Sequence, residues 1–344
     1  MSDRLTGLLG IEHPIVQGPF GGLPSVALAA AVSAAGGLGS FGANQLSPDG
    51  ITDLVGELRS AVPRGRPFNI NLWVPLPGEA QLRPSAADVD RIRPLYERLD
   101  LQPPTGYAPP PPFDDQIDAL LAAAPPVISF VMGVPPARVV AEARRRGIVT
   151  LGTATTVDEA VAIEAAGLDV VIASGSDAGG HRGAFLRPVT ESLVGTFSLV
   201  PQVVDAVGIP VLAAGGITDR RGVAAARALG ADGVQVGTGF LATVESGASA
   251  AHKAALAGSD ARVTALTRLF SGRHARAIVN GLMREMAAEE ETVPAYPVQN
   301  VLMQPLRRAA AARGDASLVN LWAGQAAALS RPVPAAEYLT SLLS

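Results

Sequence analysis

Short apolar runs with β-strand propensity alternate along the chain with helical patterns. Eight such runs are predicted as strands: residues 14–17, 37–41, 68–73, 127–131, 148–151, 169–174, 210–214 and 233–237. Most are apolar at nearly every position, which is typical of strands covered on both faces. Between them, Pro135 and Pro136 begin one predicted helix, Asp219 begins another, and Thr156 with Glu159 has the spacing of a capping box.

Eight strands that alternate with helices in about 240 residues favour a closed barrel over an open sheet. The predicted fold class is therefore α/β, with a (β/α)8 TIM barrel over residues 1–242. Residues 76–114 are rich in proline and are predicted as a surface excursion within one βα unit. Residues 243–344 are predicted to be mostly helical, and either cover the open end of the barrel or brace its helices.

Residues 14–48 contain no aspartate, glutamate, lysine or arginine, which resembles a membrane signal. Four prolines interrupt this stretch, whereas a spanning helix needs about 20 continuous apolar residues. The first ten residues lack the basic region and apolar core of a signal peptide. A soluble, cytoplasmic protein is expected.

Composition narrows the classes of partner and chemistry. The chain of 344 residues has a formal net charge of −4, which provides no electrostatic reason to expect nucleic acid or an anionic membrane as a partner. It has no cysteine, so disulfides, thiolate metal sites and cysteine nucleophiles are excluded. Whether the chain forms a homo-oligomer is left open by the sequence.

Residues 37–42, GLGSFG, match the G-x-G-x-x-G spacing of dinucleotide-binding turns. That motif must follow a strand and open a helix. Here it follows a helix and contains a predicted strand, so a Rossmann site is not expected.

Two other glycine-rich segments, residues 213–219 (AAGGITD) and 235–240 (QVGTGF), lie at the ends of the seventh and eighth predicted strands. Barrels commonly bind phosphate with the loops at these positions, where bare backbone N–H groups can approach an anion. A phosphate site is therefore predicted here, although ordinary tight turns would have the same composition.

The loop after the sixth strand, residues 174–183, contains His181. Of the four histidines, it alone lies in a glycine-rich loop at the end of a strand where barrel enzymes place their catalytic groups. A neutral imidazole there could accept a proton. A structural role for this histidine is the alternative.

Several absences restrict the chemistry further. Lys253 is the only lysine and follows the eighth strand, so a Schiff-base enzyme is not expected. Apart from Asp177, the strand ends almost lack carboxylates, which argues against glycosidases and magnesium-dependent enolising enzymes. No H-x-H or H-E-x-x-H pattern exists, so no metal site is predicted.

Several motifs together resemble the nitronate monooxygenase family, formerly called 2-nitropropane dioxygenase. The motifs are collinear over nearly the whole chain: residues 13–20, 68–72, 129–135, 177–183, 213–219, 235–240, 294–300 and 321–325. The resemblance implies an FMN-dependent barrel that oxidises alkyl nitronates, and in some cases nitroalkanes, with O2 to a carbonyl compound and nitrite.

The resemblance also assigns residues to roles. His181 corresponds to the active-site histidine of the family. The positions that correspond to its flavin contacts are Pro19, Phe20, Gly21, Asn71, Ser174, Gly179, Gly215, Gly216, Gln235, Gly237 and Thr238.

Four positions depart from the common family pattern. Phe20 replaces a frequent Met, Asp177 a Glu, Ser174 a Gln, and Gly239 an Arg. These changes bear on substrate choice more than on the identity of the cofactor.

Two other functions stay open. Flavin-dependent enoyl-acyl-carrier-protein reductases, which use NAD(P)H, are related barrels that share the motifs at residues 178–181 and 213–217. A protein that binds FMN without catalysing a reaction is the third alternative, but it would give His181 no catalytic role.

Overall fold

The computed structural model describes residues 3–23 and 25–344. Pro24, after which the sequence predicts an alanine-rich helix, lies outside the described residues. The strands are β1 (Ile15–Gln17), β2 (Phe20–Gly21), β3 (Gly39–Gly42), β4 (Phe68–Trp73), β5 (Val127–Val131), β6 (Val149–Ala154), β7 (Val170–Ser174), β8 (Gly180–His181), β9 (Val211–Ala214), β10 (Gly233–Val236), β11 (Thr264–Thr267) and β12 (Ala275–Ile278).

The predicted barrel is confirmed. Its parallel sheet has the order β1-β10-β9-β7-β6-β5-β4-β3-β2. A parallel bridge between Val16 and Leu38 joins the two ends of the sheet, and the Gln17 N–H donates to the Leu38 carbonyl at 2.9 Å. The first barrel strand is split: β1 pairs with β10, and after two residues β2 pairs with β3.

Each predicted strand overlaps one barrel strand, and the glycine-rich segment at residues 37–42 contains β3 as predicted. The helices are α1 (Asp3–Leu9), α2 (Val26–Ala34), α3 (Pro48–Ala61), α4 (Ala86–Arg98), α5 (Phe113–Ala123), α6 (Ala137–Arg145), α7 (Val157–Ala165), α8 (Thr196–Ala206), α9 (Arg220–Ala228), α10 (Thr238–Leu241), α11 (Ala250–Ala257), α12 (Gly281–Glu285), α13 (Val298–Ala312) and α14 (Ala335–Leu343).

The last helix returns to the barrel. α14 packs against α2 and α9, and its Tyr338, Leu339 and Leu342 are buried in the barrel core. The helix that follows β10 directly, α10, is too short to cover the outer face of that strand. A division of the chain at residue 242 therefore does not match the packing, since α14 completes the ring of barrel helices.

The segment at residues 76–114 lies within one βα unit, between β4 and α5, but it is more than a surface excursion. It contains α4, which packs on α13, and buries Ile92, Leu95 and Tyr96 in a second hydrophobic core. The Tyr96 hydroxyl donates to the Leu302 carbonyl at 2.6 Å. The composition of this segment suggested a loop because its apolar residues are few, yet they lie on one helix face.

The region after residue 243 is less helical than predicted. β11 and β12 form an antiparallel sheet with β8, which belongs to the loop after β7. His181 pairs with Ala275, and Gly180 pairs with Arg276. This sheet fastens the C-terminal region to the barrel loop that contains His181.

Glu159 departs from the predicted capping box. Its N–H donates to the Thr156 hydroxyl at 3.3 Å, as expected. Its fully buried carboxylate instead accepts from the N–H and hydroxyl of Thr155 at 2.6 and 2.7 Å, and from the N–H groups of Phe185 and Leu186 at 2.6 and 3.2 Å. The carboxylate thus fixes the loop between β8 and α8.

Replacing Glu159 by glutamine is expected to lower the free energy of unfolding by about 2–4 kcal/mol, because an amide NH2 would face backbone N–H donors. Asp158→Asn on the same helix is the matched control. Asp158 is 59% exposed and ion-paired with Arg187, so its loss should cost about 0.5 kcal/mol or less. Urea unfolding of both variants measures the difference, and equal losses would contradict this role of Glu159.

Candidate active site

A cavity of about 410 Å³ lies where the barrel strands end, between the barrel and the C-terminal region. Barrel loops form one wall, and residues 300–326 contribute to the other. Every site residue predicted from the sequence lines it: Pro19, Phe20, Gly21, Asn71, Ser174, Gly179, His181, Gly215, Gly216, Gln235, Gly237 and Thr238. A more open depression at the opposite end of the barrel is lined by none of them.

The glycines after β9 have backbone conformations that other residues rarely adopt. Gly215 and Gly216 have φ values of 110° and 68°. A Cβ atom at Gly215 would lie 2.7 Å from the Thr196 hydroxyl and 2.9 Å from the Ala178 nitrogen. Glycine is therefore required here by the backbone conformation and by the close packing of Thr196 and Ala178, and glycine-rich backbone of this kind can also form an anion site.

Gln235 on β10 has a buried side-chain oxygen, Oε1, with no hydrogen-bond partner among the described residues. A buried acceptor without a donor is costly, so its position on the cavity wall points to a ligand that donates to it. Three residues further along the chain, the Thr238 hydroxyl accepts from the Gly324 N–H at 2.9 Å, which connects this wall to the C-terminal region.

Asn71 at the end of β4 is held by its neighbour on β5. Its amide nitrogen donates to the hydroxyl and carbonyl oxygens of Ser129 at 3.0 and 3.2 Å. Because the nitrogen is used in this way, the amide oxygen is the atom left for a ligand. Ser129 also accepts from Asn69 at 2.9 Å, so the amide orientation is fixed from both sides.

His181 lies between two tryptophans. Its ring centroid is 4.8 Å from that of Trp73 and 5.2 Å from that of Trp322, and its Nε2 atom is 2.8 Å from the Ser271 hydroxyl. Burial lowers the pKa of His181 to about 3, with smaller contributions from Arg273 and Arg307. The imidazole is therefore neutral at pH 7.

His252, to which the sequence assigned no role, also lines the cavity. Its Nε2 atom is 3.1 Å from the Trp322 carbonyl oxygen, so Nε2 carries the proton and donates. Burial lowers its pKa to about 4. His252 thus positions the backbone of the tryptophan that packs on His181.

Two departures from the family pattern have structural explanations. A Cβ atom at Gly239 would lie 1.7 Å from the Tyr338 hydroxyl, so α14 occupies the space that a larger residue would need. The Asp177 carboxylate accepts from the Thr196 N–H at 2.7 Å, at the start of α8. Nothing in the structure explains why Phe20 and Ser174 stand where other residues are frequent.

Arg273 joins the C-terminal region to the segment after β4. It forms an ion pair with Glu79, in which both side chains are mostly buried, and its guanidinium lies 4.4 Å from the ring centroid of Tyr296 and 5.4 Å from that of Trp73. Trp73 lines the cavity and packs on His181, so this cluster supports the cavity wall beside the histidine. The sequence did not indicate it, because its members are far apart in the chain.

The similarity to known proteins covers both the barrel and the C-terminal region. The family model described as nitronate monooxygenase matches residues 2–344. The chain belongs to the nitronate monooxygenase family.

Individual relatives agree with this membership. A probable nitronate monooxygenase of Staphylococcus aureus (strain Newman) is 38% identical over 348 residues, which cover 99% of this chain and 96% of that protein. The structure of nitroalkane oxidase from Streptomyces ansochromogenes is 41% identical, with a TM-score of 0.87 and coverage of 98% and 96%. FabK from Thermotoga maritima is 32% identical, with a TM-score of 0.77 and coverage of 99% and 94%.

Membership in the nitronate monooxygenase family makes the chain a flavin-dependent oxidoreductase, and these relatives support oxidation of nitroalkanes or nitronates. Within residues 3–23 and 25–344, no helix has the length and apolar character to span a membrane. The same residues contain no cluster of three or more histidine and acidic side chains that could hold a metal ion.

We expect His181 and His252 to keep the nitrogen chemical shifts of neutral imidazole from about pH 8 to about pH 5, since burial lowers both pKa values from 6.5. His252 should show the Nε2–H tautomer. The unfolded chain binds these protons below about pH 6.5 and the folded protein does not, so stability should fall as the pH decreases from there. Two-dimensional ¹⁵N NMR of histidine-labelled protein and unfolding at several pH values measure this; titration of either ring near pH 6.5 would contradict it.

Proposed function

We propose that the protein is an FMN-dependent enzyme that oxidises alkyl nitronates, and also nitroalkanes, with O2 to a carbonyl compound and nitrite. Support comes above all from one cavity that combines bare glycine backbone, the unpaired Gln235 oxygen and a neutral histidine. The substrate is a small molecule, and neither nucleic acid nor a membrane is needed as a partner.

The residues of the cavity fit FMN. The backbone at Gly215, Gly216, Gly237 and Thr238 would hold the phosphate, and Gln235 Oε1 would accept from a ribityl hydroxyl. The other wall residues would contact the isoalloxazine ring: Pro19, Phe20, Gly21, Asn71, Ser174 and Gly179. Bound FMN would supply the electron transfer between substrate and oxygen, and the protein would supply position and proton transfer.

His181 is the proposed catalytic residue. Because it is neutral, it can accept a proton from the carbon of a nitroalkane, whereas a role as a positively charged anion binder is not supported. The Ser271 hydroxyl lies 2.8 Å from Nε2 and also 3.2 Å from the Arg273 carbonyl oxygen, to which it can donate. His181 then donates from Nε2 to Ser271, and Nδ1 is the basic atom.

Replacing His181 by asparagine is expected to reduce kcat/KM for neutral nitroalkanes by about 100-fold or more, because proton abstraction is lost. Preformed nitronates need no deprotonation, so their turnover should fall by about tenfold or less. Nitrite release from both substrate forms measures the difference. His13→Asn, at the opposite end of the barrel, is the control for general effects of the substitution, and equal losses on both substrate forms would argue against the base role.

The motifs at residues 178–181 and 213–217 also favour a second candidate, NAD(P)H-dependent enoyl-acyl-carrier-protein reduction. Oxidation of NADH driven by an enoyl thioester would support that reaction. Nitrite release that depends on nitronate and oxygen, without NADH consumption, supports the first. If no substrate of either kind reduces the flavin, a non-catalytic FMN-binding protein is the remaining explanation.

Replacing Gln235 by leucine is expected to raise the Kd for FMN by about three- to tenfold, because the ligand loses one hydrogen-bond acceptor. The matched control is Gln202→Leu on α8, where the side chain bonds only to the Ser198 carbonyl of its own helix. Quenching of flavin fluorescence on titration of the apoprotein measures both constants. An unchanged Kd for Gln235→Leu would remove this residue from the proposed contacts.

A further inference from the structure

The charged side chains on the cavity wall are all basic among the described residues. They are Arg307 and Arg308 from α13, and no aspartate or glutamate among the described residues lines the cavity. The chain as a whole has a net charge of −4. The cavity therefore has the opposite sign to the protein, which favours an anionic ligand.

Arg307 is partly buried, and it has no carboxylate partner among the described residues. Its Nη1 atom donates to the Phe270 carbonyl at 3.2 Å, and Nη2 donates to the carbonyl and side-chain oxygens of Asn300 at 3.2 and 2.8 Å. All three acceptors are neutral, and they leave part of the guanidinium donors unused. A cation that is partly removed from water and lacks a counter-charge is unfavourable, so an anion that reaches it would be stabilised there.

Arg307 keeps its charge at neutral pH. Burial lowers its pKa to about 10, and Arg308 lowers it further while Tyr296 acts in the opposite direction. Since His181 is neutral, Arg307 is the partly buried positive charge among the described residues that line the cavity, whereas Arg308 is exposed.

The position of Arg307 relates it to the reacting part of the cavity. The Phe270 carbonyl to which it donates immediately precedes Ser271, whose hydroxyl is 2.8 Å from His181 Nε2. Arg307 also contributes to the lowered pKa of His181. The glycines proposed for the FMN phosphate lie on barrel loops, whereas Arg307 lies on α13 in the C-terminal region.

We propose that Arg307 binds the oxyanion of the substrate and selects ionised nitronates over neutral nitroalkanes. A nitronate has two oxygens in one plane, like a carboxylate, and this shape matches the donors of a guanidinium group. Asn300 holds the guanidinium in place. The inference rests on the proposed function, because it names the group that recognises the substrate of that reaction.

The first test uses the flavin-loaded protein and acetate, a planar oxyanion that the flavin does not oxidise. Titration at constant ionic strength, followed by the change in flavin absorbance, measures its Kd. In Arg307→Met the Kd is expected to rise by about tenfold or more, and in Arg307→Lys by less, because the lysine keeps the charge but not the two-pronged geometry. Arg284→Met, which removes an exposed arginine on α12 far from the cavity lining, should stay within about twofold of wild type.

The second test uses the unchanged protein, so it does not depend on the folding of a variant. Arg307 stays charged and His181 stays neutral between about pH 6 and about pH 8.5, so the Kd for acetate should be constant over this range. Tyr296 and Arg308, the other groups that act on Arg307, do not change this expectation, because burial raises the pKa of Tyr296 and an arginine remains protonated. A Kd that rises about tenfold per pH unit would assign binding to a protonated histidine and overturn the proposal.

Turnover measurements distinguish a failure of this proposal from a failure of the proposed function. In Arg307→Met, KM for ethyl nitronate should rise by about tenfold or more while KM for nitroethane is unchanged. If wild type binds acetate through Arg307 but releases no nitrite from a nitronate, the anion site stands and the proposed function fails. If wild type turns over nitronates while Arg307→Met retains both its acetate Kd and its nitronate KM, the proposed function stands and the role of Arg307 is overturned.

Discussion

The backbone pairing of Gly180 and His181 with Ala275 and Arg276 holds the two halves of the cavity in one register. The first pair belongs to a barrel loop and the second to the C-terminal region, so the catalytic candidate is ordered by a sheet that neither part could form alone. The tryptophans on either side of His181 come from the same two parts, Trp73 from the barrel and Trp322 from the covering region. The site is therefore complete only when the C-terminal region is docked on the barrel.

This assembly also determines the electrostatics. Enclosure between aromatic rings removes the imidazole of His181 from water and keeps it uncharged, while the barrel-strand ends contribute no acidic side chain to the cavity. The positive charge is instead provided by Arg307 of α13, whose guanidinium donates to neutral carbonyl groups. The two proposed roles, proton transfer by His181 and anion binding by Arg307, thus fall on different groups.

The barrel and the barrel-side wall of the cavity could be predicted from the sequence, because apolar strands that end in glycine are local patterns. Gly215, Gly216 and His181 lie within such patterns and line the cavity as expected. No local sequence pattern indicates Arg307. Its proposed role depends on the lack of a carboxylate nearby, and this is determined by the tertiary structure. β8 and β12 are too short to show strand periodicity in the sequence. The Glu159 carboxylate does not complete the predicted capping box, because it accepts instead from N–H groups that include those of Phe185 and Leu186.

The return of α14 to the barrel has a consequence for how the chain folds. Tyr338 packs on Gly239 and donates to the Thr218 carbonyl, so the outer layer of the barrel is completed by residues more than a hundred positions away from the strand they cover. Contacts of such long sequence separation form late and slow the search for the native state. The outer layer of the barrel therefore has its final packing only when α14 is docked, which couples the scaffold of the barrel to the C-terminal region.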